Sequence, residues 1–212
     1  MTPYYETPLG KLYHGDCLEI LPNLPTVDLV LTDPPYNVGI NYGDKTNDKM
    51  SRKNFILWIR PRFKIMRSKS KTVLISGQGR LPDYALIEPW KWLLAWYKPA
   101  CMGRSPVGFN NFEPIAMWGK GCNNGTDVIT ATIIPDKSLD GHPCPKPIKW
   151  AMEILFLFKD HKSVLDPFCG SGTTSVACER LKRQWIGIEI EEKYCEIAAK
   201  RIEAERKQLK LF

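Results

Sequence analysis

The chain has 212 residues, 43% of them hydrophobic, and a formal net charge of +7. That is enough apolar material for one core and one domain of residues 1–212, while no apolar run reaches transmembrane length and Met1-Thr2-Pro3-Tyr4-Tyr5-Glu6 lacks the basic and apolar regions of a signal peptide. The seven cysteines show no Cys-x-x-Cys pair and the histidines no cluster, which argues against zinc or any other metal site and against a disulfide framework, and fits reduced thiols in a cytoplasm.

In chain order, strand-like and helix-like segments alternate without repeats or low-complexity linkers. Residues 11–14 read as a short strand, 17–24 as a helix capped by Asp16, and 27–32 as a central strand. Residues 37–50, with Gly39, Gly43 and several Asn and Asp, read as a mobile loop. Ser51 caps a helix with Phe55, Trp58, Ile59, Phe63 and Met66 inward, and Pro61 is expected to bend it. Residues 72–76 form a strand, and 77–89 contain a short helix. Residues 90–97 and 111–118 read as an antiparallel hairpin at one edge of the sheet, with Trp90, Trp92 and Trp96 on one core face. A helix over 148–158, a strand over 163–165, a helix reaching about residue 181 and a strand over 185–190 follow. Residues 191–209 are an amphipathic helix, with Tyr194, Ile197, Ala198, Ile202 and Leu209 apolar, that packs rather than reacts. The pattern is that of a doubly wound α/β domain with a mostly parallel sheet.

Two motifs close strand-like runs, the positions where open α/β sheets bind ligands. Asp33-Pro34-Pro35-Tyr36 combines a carboxylate, a stiff backbone that gives up two donors, and an aromatic ring. The Asp33 carboxylate and the Pro34 carbonyl can each accept a hydrogen of an exocyclic amine, with Tyr36 stacked on the ring that carries it. Two such acceptors draw the amine toward tetrahedral geometry and make it a better nucleophile. In Asp166-Pro167-Phe168-Cys169-Gly170-Ser171-Gly172, followed by Thr173 and Thr174, the glycines permit a tight turn and close backbone approach to a ligand. The segment lacks the spacing of a dinucleotide fingerprint and the Gly-Lys of a phosphate loop, which disfavours a hydride cofactor or a nucleoside triphosphate. Glu189, 17 positions beyond Gly172, ends a strand where a carboxylate can bind ribose hydroxyls.

With His14-Gly15-Asp16-Cys17 and His142-Pro143-Cys144-Pro145-Lys146-Pro147, these motifs make the sequence resemble the amino-methylating DNA methyltransferases that use S-adenosylmethionine. The resemblance is to the permuted beta group, in which Asp-Pro-Pro-Tyr precedes Phe-x-Gly-x-Gly, and covers nearly the whole chain. It implies a permuted class I methyltransferase fold in which Asp33, Pro34, Pro35 and Tyr36 form the catalytic tetrapeptide. Phe168, Gly170, Gly172 and Thr173 would line the methionine side of the cofactor, with Asp166 and Ser171 of the same segment in the pocket. Glu189 would bind the ribose, Asp16 with Cys17 beside it would meet the adenine, and Lys146 would be a pocket residue. Adenine is the expected target because cytosine-methylating relatives more often begin the tetrapeptide with Ser, although either amine fits the two acceptors. RNA and protein amide methyltransferases typically place the glycine motif first and often begin the tetrapeptide with Asn. A binding module with a dead cofactor pocket would not need Asp33, Tyr36 and both glycines intact.

Charge is unevenly distributed: between residues 44 and 71 ten Lys or Arg face two Asp, a local +8 that leaves −1 elsewhere. This segment follows the tetrapeptide, so a basic rim for the phosphates of double-stranded DNA is expected there. The loops 37–50, 98–110 and 119–141 are the expected recognition segments, with Lys120, Asn123, Asn124 and Lys137 as contact candidates. With no separate recognition domain left over, a short recognition sequence or a homodimer is expected, and a cognate restriction enzyme is a further partner to consider.

Overall fold

The computed structural model describes residues 1–77, 79–99, 101–122, 125–133 and 141–209. The chain begins with β1 (Tyr5–Glu6), β2 (Gly10–His14), α1 (Cys17–Ile20), a 3-10 turn (Leu21–Asn23) and β3 (Leu29–Thr32). Next come α2 (Arg52–Lys69), β4 (Thr72–Ser76), α3 (Leu81–Ala85), β5 (Trp92–Tyr97), β6 (Arg104–Ser105), β7 (Gly108–Phe109), β8 (Phe112–Trp118) and β9 (Val128–Thr130). The last third supplies α4 (Ile148–Leu157), β10 (Ser163–Asp166), α5 (Thr173–Arg180), β11 (Gln184–Glu189) and α6 (Glu192–Leu209).

Nine of these strands form one sheet in the order β1-β2-β11-β10-β3-β4-β8-β5-β9. β2, β11, β10, β3 and β4 run parallel, and β8 is antiparallel to both β4 and β5. Period-two patterning divides the core: Leu29, Leu31 and Leu74 face a cluster with Trp150, Val176 and Ala198 of α4, α5 and α6, whereas Val30, Val73 and Ile75 face Phe55, Ile59 and Phe63 of α2. The chain travels outward from β3 through β4 and β8, then returns to lay β10 on the other side of β3. That reversal makes the carboxyl ends of β3 and β10 the switch point of the sheet, where a crevice forms.

Several expectations need correction. The antiparallel pair is not the edge, because β9 pairs in parallel with β5 through Ala95↔Val128 to Tyr97↔Thr130. A strand therefore occupies part of the expected recognition loop 119–141. Asn123, Asn124 and Lys137 lie outside the described residues, while the Lys120 carbonyl accepts from Thr72 Oγ1 at 3.2 Å. The loop 98–110 contains the paired strands β6 and β7. The helix expected over 17–24 is one α turn followed by the 3-10 turn, since Pro22 removes a backbone donor. Trp96 is buried, but Trp92, at the first position of β5, is 56% exposed and donates Nε1 to Asp127 at 3.2 Å. Among the described residues no helix is long and apolar enough to cross a membrane.

Candidate active site

The two motifs meet through their strands. Thr32, last residue of β3, donates its hydroxyl to Asp166 Oδ1 at 2.7 Å, and the Phe168 N–H donates to the same oxygen at 3.1 Å. Burial pushes the Asp166 carboxyl up to about 6 despite these donors. Above this junction opens a cleft with an empty volume of about 1040 Å³. Its walls bring together Asp16, the cap of α1, and Cys17, its first residue, with Asp33 and Pro35 from the tetrapeptide, and Lys146. Asp166, Phe168, Gly170, Ser171, Thr173 and Glu189 complete the sequence-derived set in the same cleft.

Pro34, Tyr36 and Gly172 do not line the cleft. Gly172 instead caps α5 with φ +82°, where a Cβ would stand 2.9 Å from that of Ala198. Its small size lets α5 pack against α6.

One end of the cleft is carboxylate and aromatic. Asp16 Oδ1 accepts from the Leu18 N–H at 2.9 Å and Oδ2 pairs with Arg62 at 2.8 Å. That guanidinium lies 4.4 Å over the Trp58 ring, and Trp58 stands 5.7 Å from Phe168. Glu189 accepts from the Gly170 N–H at 2.7 Å and the Glu191 N–H at 2.8 Å, yet burial lifts its carboxyl to about 7. His142 packs 4.6 Å from Tyr194, and burial pushes its imidazole down to about 4, so it is neutral at pH 7.

The other end is a buried, charge-balanced cluster. Lys146 Nζ pairs with Asp33 Oδ2 at 2.7 Å and with Glu113 Oε1 at 3.4 Å, and Lys98 Nζ pairs with Glu113 Oε2 at 3.3 Å. The Tyr36 hydroxyl reaches Asp33 Oδ1, Ser76 Oγ at 2.8 Å and Glu113 Oε1 at 2.6 Å. Having one proton, it donates to one carboxylate and accepts from Lys146 at 3.2 Å. Burial raises the Asp33 carboxyl, with Lys146 opposing the shift, whereas at Glu113 the cations and hydroxyl donors outweigh burial and lower it. Burial alone would lower Lys146, but the two carboxylates raise it and keep it protonated. Tyr36 is thus anchored inside this cluster by its hydroxyl, with the Lys146 ammonium 5.0 Å from its ring centre.

Glu113 and Lys98 were not singled out in the sequence. The usable signal was a lone carboxylate in the apolar strand Phe112–Trp118. Tyr194 of α6 lines the cleft, so that helix is not mere packing. The loop 37–50, read as mobile, is tied down: buried Asp48 accepts from the N–H groups of Asn37, Val38 and Ile40, and Glu191 accepts from Lys45 N–H. It brings Tyr42, Lys45, Thr46 and Asn47 over the cleft.

The basic segment is partly consumed internally. Arg52 pairs with Asp83, Arg62 with Asp16 and Arg67 with Glu88, while Lys69 donates to the Leu24 carbonyl at 2.6 Å. Lys49, Lys53, Arg60, Lys64 and Lys71 remain exposed, with no acidic partner among the described residues.

Residues 113–200 match the N6/N4 methyltransferase family described as DNA methylase. The chain is 31% identical to the type II methyltransferase M2.DpnII of Streptococcus pneumoniae over 252 residues, covering 96% of this chain and 93% of that protein. Its fold is similar to that of the PvuII DNA methyltransferase (cytosine-N4-specific), with a TM-score of 0.75, 20% identity and coverage of 94% and 88%. It is also similar to M1.HpyAVI in complex with SAM, with a TM-score of 0.67, 24% identity and coverage of 91% and 98%. Given a relative at 31% identity along nearly the whole of both chains, the protein belongs to the amino-methylating DNA methyltransferases.

Proposed function

We propose that the protein transfers a methyl group from S-adenosylmethionine to the exocyclic N6 amino group of adenine in double-stranded DNA, with the target base turned out of the helix. The observation that carries this reading is Asp33, first residue of the tetrapeptide, at the cleft wall and paired with Lys146 at 2.7 Å. The choice of adenine over cytosine rests on Asp rather than Ser at that position.

The cleft suits the cofactor. Trp58 and Phe168 offer apolar faces for an adenine ring, and Asp16 and Glu189 offer acceptors for an amine and for ribose hydroxyls. Trp150 and Tyr194 both line the cleft, and their Nε1 and Oη atoms are buried without a hydrogen-bond partner among the described residues. Gly170 takes φ +51°, a conformation that side-chain-bearing residues rarely adopt, and a Cβ there would stand 2.9 Å from His142 Nε2, so glycine suits the wall at that point.

When bound, S-adenosylmethionine supplies a methyl group activated by a sulfonium charge. Each Asp33 oxygen keeps a lone pair beyond its contact to Tyr36 or Lys146, so the carboxylate can accept an amine hydrogen without breaking the cluster. Its burial-raised proton affinity suits it to hold the proton that the amine loses after alkylation. Lys146, fixed by Glu113, keeps the carboxylate oriented. Methyl-labelled S-adenosylmethionine, incubated with the protein and with DNA, RNA or protein in parallel, is expected to label DNA alone, and Asp33→Ala to abolish it. Label in RNA or protein, or undiminished labelling by Asp33→Ala, would refute the reading.

A further inference from the structure

Between Lys98 and Glu113, both members of the polar cluster, the chain leaves the carboxyl edge of the sheet and returns as a small second hairpin. Arg104 pairs with Phe109 and Ser105 with Gly108, leaving Pro106 and Val107 as the tip. The turn is built: Ser105 Oγ donates to the Gly108 carbonyl and accepts from the Val107 N–H, each at 3.3 Å, and Gly108 takes φ +139°. Below it, the Asn110 N–H donates to the Gly103 carbonyl at 2.7 Å, and the Lys98 N–H to the Asn111 carbonyl at 2.7 Å. The outer surface is apolar, with Val107 97%, Met102 76%, Phe112 54% and Phe109 50% exposed. No Asp or Glu lies between Lys98 and Glu113, and the Arg104 guanidinium sits 4.5 Å over Phe109.

We infer that this hairpin is a wedge that enters the base stack of double-stranded DNA beside the target pair, with Pro106 and Val107 filling the space an extruded base leaves. The inference rests on the DNA reading above and deepens it. Taking a base out of a duplex costs stacking and pairing, and inserted apolar side chains offset that loss. The wedge is anchored beside the polar cluster, since its two legs end on Lys98 and Glu113, which pair with each other, and Glu113 in turn holds Lys146 and Tyr36. Its charge, with Arg104 and no acid, suits a polyanion rather than an acidic protein surface. A second copy of this chain is a poorer occupant, because a stable interface needs about 800 Å² from each partner and a two-residue tip offers far less.

The test uses the recognition site mapped by sequencing DNA modified by the wild-type protein, built into two duplexes. One carries the normal partner of the target base and the other an abasic site opposite it, which lets the base leave freely. Val107→Ser is expected to lower turnover about tenfold on the paired duplex and less than about twofold on the abasic one, while Val107→Leu stays near wild type on both. Equal losses on the two duplexes, or no loss on either, would overturn the wedge. A change in solution mass on Val107→Ser would assign the tip to self-association instead and also overturn it. Failure of the wild-type protein to modify any DNA at the mapping step would refute the DNA reading and this inference with it.

Discussion

In the proposed site, with Glu189 on the cofactor ribose, cofactor binding becomes a function of pH with a predictable sign. The Glu189 side chain is nearly buried, both oxygens accept backbone N–H groups, and burial still lifts the carboxyl from 4.5 to about 7. Ribose hydroxyls held there would donate to the ionised form, so binding would lower this pKa and release a proton. With a free-protein value near 7, the ionised fraction falls from about nine-tenths at pH 8 to about one-tenth at pH 6, and S-adenosylmethionine should bind about tenfold more weakly at pH 6. The same shift affects folding. Because the folded value lies above 4.5, the group's contribution to stability is fully present below pH 4.5 and is lost as pH rises through about 7. Titration calorimetry at pH 6, 7 and 8, in buffers of different ionisation enthalpy, reads both the affinity and a release of about half a proton at pH 7. Glu189→Gln should bind weakly and with a flat pH profile. Equal wild-type affinities at pH 6 and pH 8 would refute the role of Glu189.

Asp33→Asn should lower turnover at least about a hundredfold while leaving cofactor affinity within about tenfold, as single-turnover assays and calorimetry can show; near-normal turnover would remove Asp33 from the chemistry. Glu113→Gln leaves the buried Lys98 and Lys146 short of a counter-charge and should cost about 3–5 kcal/mol in denaturant unfolding, with partial recovery on adding Lys98→Met. An unchanged midpoint would contradict the cluster's cohesion. Neutralising Lys49, Lys53, Arg60 and Lys64 should flatten the salt dependence of DNA binding, by up to about 0.9 in slope for each phosphate that the protein no longer neutralises. A slope that does not move would mean that this face stays off the backbone.

The strands that carry the motifs were legible because their apolar residues alternate or run continuously to a motif boundary, as in Leu29–Thr32 and Ser163–Asp166. Their adjacency was not, since it depends on the chain reversing after β9 to lay β10 beside β3. β9 itself escaped notice because three residues, Val128–Thr130, give too short a pattern within a polar stretch. Charge counting assigned Arg62 to a DNA-facing rim, but it is buried against Asp16 and Trp58, and composition cannot distinguish a buried guanidinium from an exposed one. The buried polar cluster was legible only in Asp33, Tyr36 and Lys146. Glu113 and Lys98 join it across separations of chain that no local motif spans. Gly172 was read as a ligand-facing glycine because its motif spacing does not reveal whether a glycine admits a ligand or a neighbouring helix.

The proposed chemistry is methylation of the exocyclic amino group of adenine in DNA at this cleft. Double-stranded DNA treated with the protein and methyl-labelled S-adenosylmethionine, digested to nucleosides and resolved by mass spectrometry, tests it most directly. The account predicts that all label co-elutes with N6-methyldeoxyadenosine, and label in N4-methyldeoxycytidine would contradict it.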